Sequence, residues 1–212
     1  MVYHICNKSI SDFVIFNNDY EFSRMLLAIR YYQSGKHIAS LARFLRPTGT
    51  KEYHYSDKIP IPIGKEKFVN IIAYCLMSTH LHLILEELIE NGLSMFTSNI
   101  LNSYTRYFNA KHNRKGPLWE GRSKRILVKS DEQLLYLTSY IHLNPVTAHL
   151  VNKPEDWPYS SYKEYISNIK HGERTCNYAH ILKVDHTVYK KFVEDGISYQ
   201  RELARIKNLT LE

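Results

Sequence analysis

The sequence lacks most of the features that would place it in a common class. No apolar run approaches the roughly 20 residues needed to span a bilayer, so no membrane association is expected. Met1 to Ile10 lack the basic-then-apolar pattern of a signal peptide, which leads to the expectation of a cytoplasmic protein. The three cysteines, Cys6, Cys75 and Cys176, are odd in number, widely spaced and form no CxxC. They suggest neither a zinc site nor a disulfide framework, and buried free thiols are the simpler expectation. No GxxxxGK[ST] loop is present, so no nucleotide cofactor is signalled. Internal repeats and low-complexity segments are absent too. Acidic residues are in deficit, 21 against 28 Lys and Arg, which leaves a formal net charge of +7. That balance favours polyanionic partners.

The positive charge is clustered. Arg106, Lys111, Arg114, Lys115, Arg122, Lys124, Arg125 and Lys129 fall in one stretch in which Glu120 is the only acid. Tyr107, Phe108 and Trp119 are interleaved with them. Basic groups hold phosphates and aromatic rings stack on exposed bases, so the stretch reads as a nucleic-acid contact. A solvated charged loop is the alternative. For Trp119 within it, the alternative is a buried anchor in a structural turn.

With 212 residues, the chain has room for one domain with an appended helical tail. Tyr3 to Cys6 reads as a short first strand. A helix starting at Asn17 to Asp19 carries Phe22, Met25, Leu26, Ile29 and Tyr32, with Gly35 as a stop. Arg46 to Lys65, with Pro47, Gly49, Pro60, Pro62 and Gly64, reads as a loop insertion. The apolar run Phe68 to Met77 and the stretch His80 to Glu86 predict a hairpin turning at Ser78 and Thr79. Leu93 to Ala110 has the stripe of an amphipathic helix, broken by Gly116-Pro117. Arg125 to Val128 is a candidate strand. Ser130 with Gln133 forms a capping box for a helix running to about Asn144, where Pro145 is expected to end or kink it. Beyond Tyr165, helical patterns recur around Val184 to Glu194 and Tyr199 to Ile206. The order strand, helix, strand, strand, helix, strand, helix predicts an α+β fold with helices on an antiparallel sheet. The division expected is a domain over 1–165 and a C-terminal helical extension over 166–212.

Two groupings carry possible chemistry. His80 and His82, two apart on a strand, project to one face, while Leu81, Leu83 and Leu85 take the other. Two imidazoles on one rigid strand suit a divalent metal, although an incidental His-x-His pair is common. Tyr140 and Asn144, four apart on a helix, share a face on which one offers a phenol oxygen and the other a carbonyl oxygen. Tyr136, one turn earlier, competes as nucleophile, and a boundary aromatic role for Tyr140 stays open.

Taken together, these segments resemble a family. Tyr74-Cys75-Leu76-Met77-Ser78-Thr79-His80-Leu81-His82-Leu83 is similar to the metal-strand motif of the His-hydrophobe-His single-strand nucleases. Gly116 to Arg122 resembles the Gly-x-x-Trp-x-Gly-Arg segment of REP-associated tyrosine transposases. Tyr140-Ile141-His142-Leu143-Asn144-Pro145-Val146 resembles their Tyr-Ile-x-x-Asn-Pro-Val motif, and Asp156 to Tyr162 their Asp-Trp-x-x-Ser-Ser-Tyr segment. The chain departs from the pattern at Ser78-Thr79, where the family usually has Pro-Asn. The resemblance implies a ferredoxin-like domain in which His80, His82 and Asn144 hold Mg²⁺ or Mn²⁺ and Tyr140 is the nucleophile. It implies cleavage and rejoining of single-stranded or hairpin DNA, by a monomer or a homodimer. The rival readings are a DNA-binding protein without cleavage, such as a repressor or degenerate transposase, and a metal-dependent phosphoesterase using water.

Overall fold

A computed structural model of the chain describes residues 1–35, 39–46, 66–169 and 174–209. The loop expected over 46–65 lies, apart from residue 46, outside the described residues. Four strands form the sheet: β1 (Val2–Lys8), β2 (Val69–Met77), β3 (His80–Glu87) and β4 (Lys124–Leu127). All neighbours are antiparallel, in the order β2-β3-β1-β4. Two helices fill the crossovers: α1 (Asp19–Tyr31) leads from β1 towards β2, and α3 (Gly92–Lys111) joins β3 to β4. A one-turn helix, α2 (Leu41–Leu45), follows α1. This order and pairing is the ferredoxin-like arrangement. To it the chain adds α4 (Asp131–Thr147), a turn-rich segment ending in α5 (Tyr162–Ile166), and α6 (His186–Asp195) and α7 (Ile197–Leu209).

The local signals account for the elements. Asn18 caps α1 by accepting from Glu21 N, and Ser130 caps α4 by accepting from Gln133 N. Gln133 reaches back to the Lys129 N–H, one residue before the cap. Orphan N–H groups at both helix starts are thus satisfied, and the acids Asp131 and Glu132 face the positive helix end. Every residue of β2 is buried. A strand covered on both faces needs a continuous apolar run rather than alternation, which is what 69–77 supplies.

One boundary differs from expectation. Pro145 does not end α4; the helix continues through Thr147. Pro145 forfeits only its own N–H bond to Ile141, and the turn closes around it, Ala148 N donating to Asn144 O. The stop is His149, in the left-handed region at φ 57. There the His149 N–H donates to Val146 O and the Leu150 N–H to Pro145 O, the paired bonds of a Schellman ending.

Register sorts the side chains between the two faces of the sheet. Cys6 pairs with His82 and Lys8 with His80, so these four share one face, together with His4. Lys124 pairs with Cys6 and joins them. Ile5 pairs with both Leu83 and Arg125, on the other face. Arg125 there donates to Ser94 Oγ of α3, which places α3 on the leucine face. Leu81, Leu83 and Leu85 beneath it are fully buried. Helix α4 lies over the histidine face, its Tyr140 ring against that of His82.

The segment after α4 fastens it to β2. Leu76 N donates to Tyr159 O, Ser161 N to Tyr74 O, and the Trp157 indole N–H to Leu76 O. Tyr159 stacks on Phe22 with ring centroids 3.8 Å apart and donates to Asp19. The Asp156 to Tyr162 segment therefore joins α1, β2 and α4.

Candidate functional site

The histidine face brings His80, His82 and Tyr140 together. The two imidazoles lie 5.1 Å apart edge to face, and the Tyr140 ring stands 6.2 Å from His82, also edge on. Tyr136, the competing nucleophile, packs against Phe192 of α6 instead, 5.4 Å between centroids. One helical turn thus separates a tyrosine held against the histidines from one held against the tail.

Each histidine has one ring nitrogen already engaged. His80 Nδ1 is 3.0 Å from Thr79 Oγ1, and His82 Nδ1 is 3.0 Å from His4 Nε2. His4 also stacks on His82, 5.2 Å between centroids. In both rings Nε2 is the remaining nitrogen. A partner on Nδ1 fixes ring orientation and, if it accepts the Nδ1 proton, leaves the Nε2 lone pair available. Thr79 is one of the two residues that depart from the family pattern, and it supplies this contact. Ser78 and Thr79 also accept from Ile15 N, Phe16 N and Ser9 N, tying the hairpin turn to the chain after β1.

The electrostatics favour neutral rings. Burial pushes His80 down to about 4, helped by the Lys8 charge and opposed by Asp12. Burial pushes His82 down to about 3, with His80, His4 and Lys8 adding to it. His4 is lowered by burial. Neutral imidazole is the metal-binding form. Burial also raises the Tyr140 phenol, with Cys6 adding. Tyr140 is therefore an un-ionised phenol at neutral pH although its ring is 44 % exposed. The Cys6 thiol is raised by burial against the pull of Lys8 and Lys124, and is inert by the usual criterion.

Among the described residues, no group of three or more His, Cys, Asp or Glu is arranged to hold a metal ion. The expected set has only two such side chains, its third member being an amide. The Asn144 amide nitrogen is buried without a hydrogen-bond partner. A half-turn of the amide would put its carbonyl oxygen there instead. Neutral imidazole nitrogens and an amide oxygen are ligand types that suit a divalent ion; the contacts of the site join His80, His82 and Tyr140, and none of them includes Asn144.

The basic stretch divides by role. Arg114 donates to Asn109 Oδ1, Gly116 O and Pro117 O, clamping the turn after α3. Lys111 lies 3.5 Å from the Glu21 carboxylate. Arg125 is bound to Ser94 on the face away from the histidines. Arg106, Lys115 and Arg122 are exposed. Lys124 is exposed on the histidine face, and so is Lys8, to which no sequence motif points. Their place beside the site follows from strand register, which composition does not reveal.

Of the two roles left open for Trp119, its placement matches the buried anchor. Its ring is 9 % exposed, and its indole N–H donates to Leu101 O and Thr105 Oγ1 of α3. It bridges Ser9 at the end of β1. The ring anchors a turn and is not presented for base stacking. The flanking Gly116 and Gly121 have φ of 95 and 149, a region closed to most side chains, so the glycines of this motif set its backbone path.

Sequence reasoning also misses His4 and His142. His4 sits in an isolated Tyr-His-Ile context that carries no motif. His142 is fully buried, with Nδ1 2.7 Å from the Tyr189 hydroxyl and Nε2 2.8 Å from Ser161 Oγ.

No family model matches the chain. Over 102 residues, 43 % of the chain, it is 28 % identical to a Haemophilus influenzae protein carrying the provisional name REP-associated tyrosine transposase. The match spans 57 % of the length of that relative. A solved structure of a REP-associated tyrosine transposase bound to a REP hairpin aligns over 79 % of each chain, with a TM-score of 0.49 and 16 % identity. The Haemophilus influenzae relative bears the family name that the motifs suggest.

Proposed function

We propose that the chain cuts and rejoins single-stranded or hairpin DNA through a covalent phosphotyrosine, in the manner of a transposase. The observation that carries this reading is the placement of Tyr140 against His82, on the one sheet face where both imidazoles, Lys8 and Lys124 converge. The similarity to a named tyrosine transposase supports it.

In this reading His80, His82 and Asn144 would hold Mg²⁺ or Mn²⁺, which would supply Lewis-acid polarisation of a non-bridging phosphate oxygen. Lys8 and Lys124 neutralise the backbone of the bound strand on either side. The Tyr140 Oη attacks phosphorus in line with the bond to the 3′ oxygen. As the new P–O bond forms, the phenol proton passes to solvent. The old P–O bond breaks, and the 3′ oxygen leaves as a hydroxyl after taking a proton from water. The 5′ phosphate stays on Tyr140 as a phosphodiester, so the energy of the broken bond is retained. Attack by another 3′ hydroxyl on that link reverses the sequence and joins new ends. Burial raises the Tyr140 phenol, so the nucleophile enters the reaction protonated.

The test is incubation with a 5′-labelled and a 3′-labelled hairpin and Mn²⁺. A covalent band is expected only with label on the 3′ side of the cut, and not with Tyr140→Phe. Binding without any covalent band would instead favour a DNA-binding protein that does not cleave. Release of label without a covalent band would favour hydrolysis by water.

A further inference from the structure

The C-terminal extension has no motif that the function uses, yet it is built onto the tyrosine helix. Tyr189 of α6 is fully buried and its hydroxyl meets His142 Nδ1 at 2.7 Å. On the other side of the ring, His142 Nε2 meets Ser161 Oγ at 2.8 Å. Ser161 Oγ accepts from Tyr74 N and donates to Tyr74 O of β2, at 2.9 and 3.2 Å. A chain of bonds therefore runs from α6 through α4 to the strand that pairs with the histidine strand.

Two further contacts repeat the attachment. The backbone at Gly196, between α6 and α7, comes so close to α4 that a Cβ there would lie 3.3 Å from Leu143 Cδ1. Thr147 Oγ1 meets Gln200 Oε1 of α7 at 3.4 Å. His142, Leu143 and Thr147 are thus all tied to the tail, while Tyr140 of the same helix lies against His82.

A buried histidine with both nitrogens occupied fixes rotation about its own bonds, and its two partners belong to different elements. Such a satisfied network specifies a single arrangement, since losing either partner strands a buried polar atom. We infer that His142, held between Tyr189 and Ser161, is a positioning residue that sets the depth and rotation of α4, so that the C-terminal helices aim Tyr140 at the histidine face. The role rests on the reading of Tyr140 as nucleophile. The tail, on this view, is part of the nuclease rather than an appendage.

The test uses the full chain with Tyr189→Phe, which keeps the ring and removes one hydroxyl, and with Ser161→Ala, which removes the opposite partner. Hydrogen exchange of the α4 amides is compared with that of α3, at a temperature well below melting. Single-turnover formation of the covalent adduct is measured beside hairpin affinity. Faster exchange confined to α4 is expected in both variants. The adduct rate at saturating hairpin should fall by roughly tenfold to a hundredfold, the size of a small displacement of a reacting group, with affinity within about twofold of the parent. Unchanged α4 exchange, or a wild-type adduct rate in both variants, would overturn the inference. If the parent chain forms no adduct at all, the nuclease reading fails by itself, and unchanged or faster α4 exchange still decides whether the network holds the helix.

Discussion

His82 is held by three neighbours: His4 stacks on it and engages its Nδ1, and His80 and Tyr140 each meet its ring at a near right angle. Because His4 orients a proposed ligand without being one, His4→Ala is expected to weaken Mn²⁺ binding by about 10- to 100-fold, the usual cost of removing the group that orients a ligand. Titration of the variant with Mn²⁺, read by the metal's spin signal, checks this; affinity equal to the parent would separate His4 from the site. Trp119 calls for a different experiment. As a buried anchor, Trp119→Ala should lower stability by about 3–5 kcal/mol while leaving the salt dependence of hairpin binding unchanged. A variant that melts like the parent but binds less tightly would return the ring to base stacking. Both residues show where sequence reading stops. The His-x-His spacing exposes His80 and His82 because period two is fixed by the strand itself. His4 reaches them only through strand pairing, and whether a Trp points inward depends on the helix it meets.

At the scale of elements, two adjacent members of the basic stretch behave oppositely. Lys124 and Arg125 are neighbours in β4, yet register sends Lys124 to the histidine face and Arg125 to Ser94 of α3. Lys124→Ala, alone or with Lys8→Ala, is expected to weaken binding to all sequences alike. It should flatten the log–log salt slope by about 0.7 for each phosphate no longer neutralised on a single strand. Arg125→Ala should leave the slope near that of the parent. Equal effects from the two would mean that the strand lies along the edge of β4 rather than over one face. The elements are legible wherever a local rule governs them. The capping box at Ser130, the apolar run of β2 and the stripe of α3 each show in the sequence because they answer to one helix or one strand. The last turn of α4 does not, since Pro145 reads as a stop while the actual terminus is a left-handed His149, a conformation that carries no sequence mark at a histidine. The packing of α6 and α7 onto α4 is equally hidden, because it is made by single tertiary bonds such as that of Tyr189.

For the molecule as a whole, one buried acid ties the two crossover helices together. Glu21 of α1 accepts from Asn17 N and Nδ2, both at 2.8 Å, and meets His112 Nε2 at 2.7 Å just beyond α3. Burial alone would raise its carboxyl, but the Asn17 and His112 bonds outweigh this and hold it below its ordinary value. A carboxylate whose pKa is depressed by folding stabilises the protein above its unfolded pKa, and that contribution is lost as pH falls through the folded value. Stability should therefore decline with acid below about pH 4.5, the range in which the unfolded carboxyl begins to protonate. Glu21→Gln should cost about 1–3 kcal/mol at neutral pH and make this acid limb shallower in thermal melts. An acid limb as steep as that of the parent would remove Glu21 from the cause. Such a bridge holds the ferredoxin-like frame under the histidine face, and α4 with its tail sets the tyrosine above it. The relation between the two is tested most directly by trapping the parent chain on a labelled hairpin with Mn²⁺, digesting the adduct and locating the modified residue by mass spectrometry. The expected result is a nucleotide on the peptide that contains Tyr140, lost on adding EDTA before the DNA. A nucleotide on Tyr136 or any other residue, or no adduct with hairpin bound and metal present, would contradict the assignment.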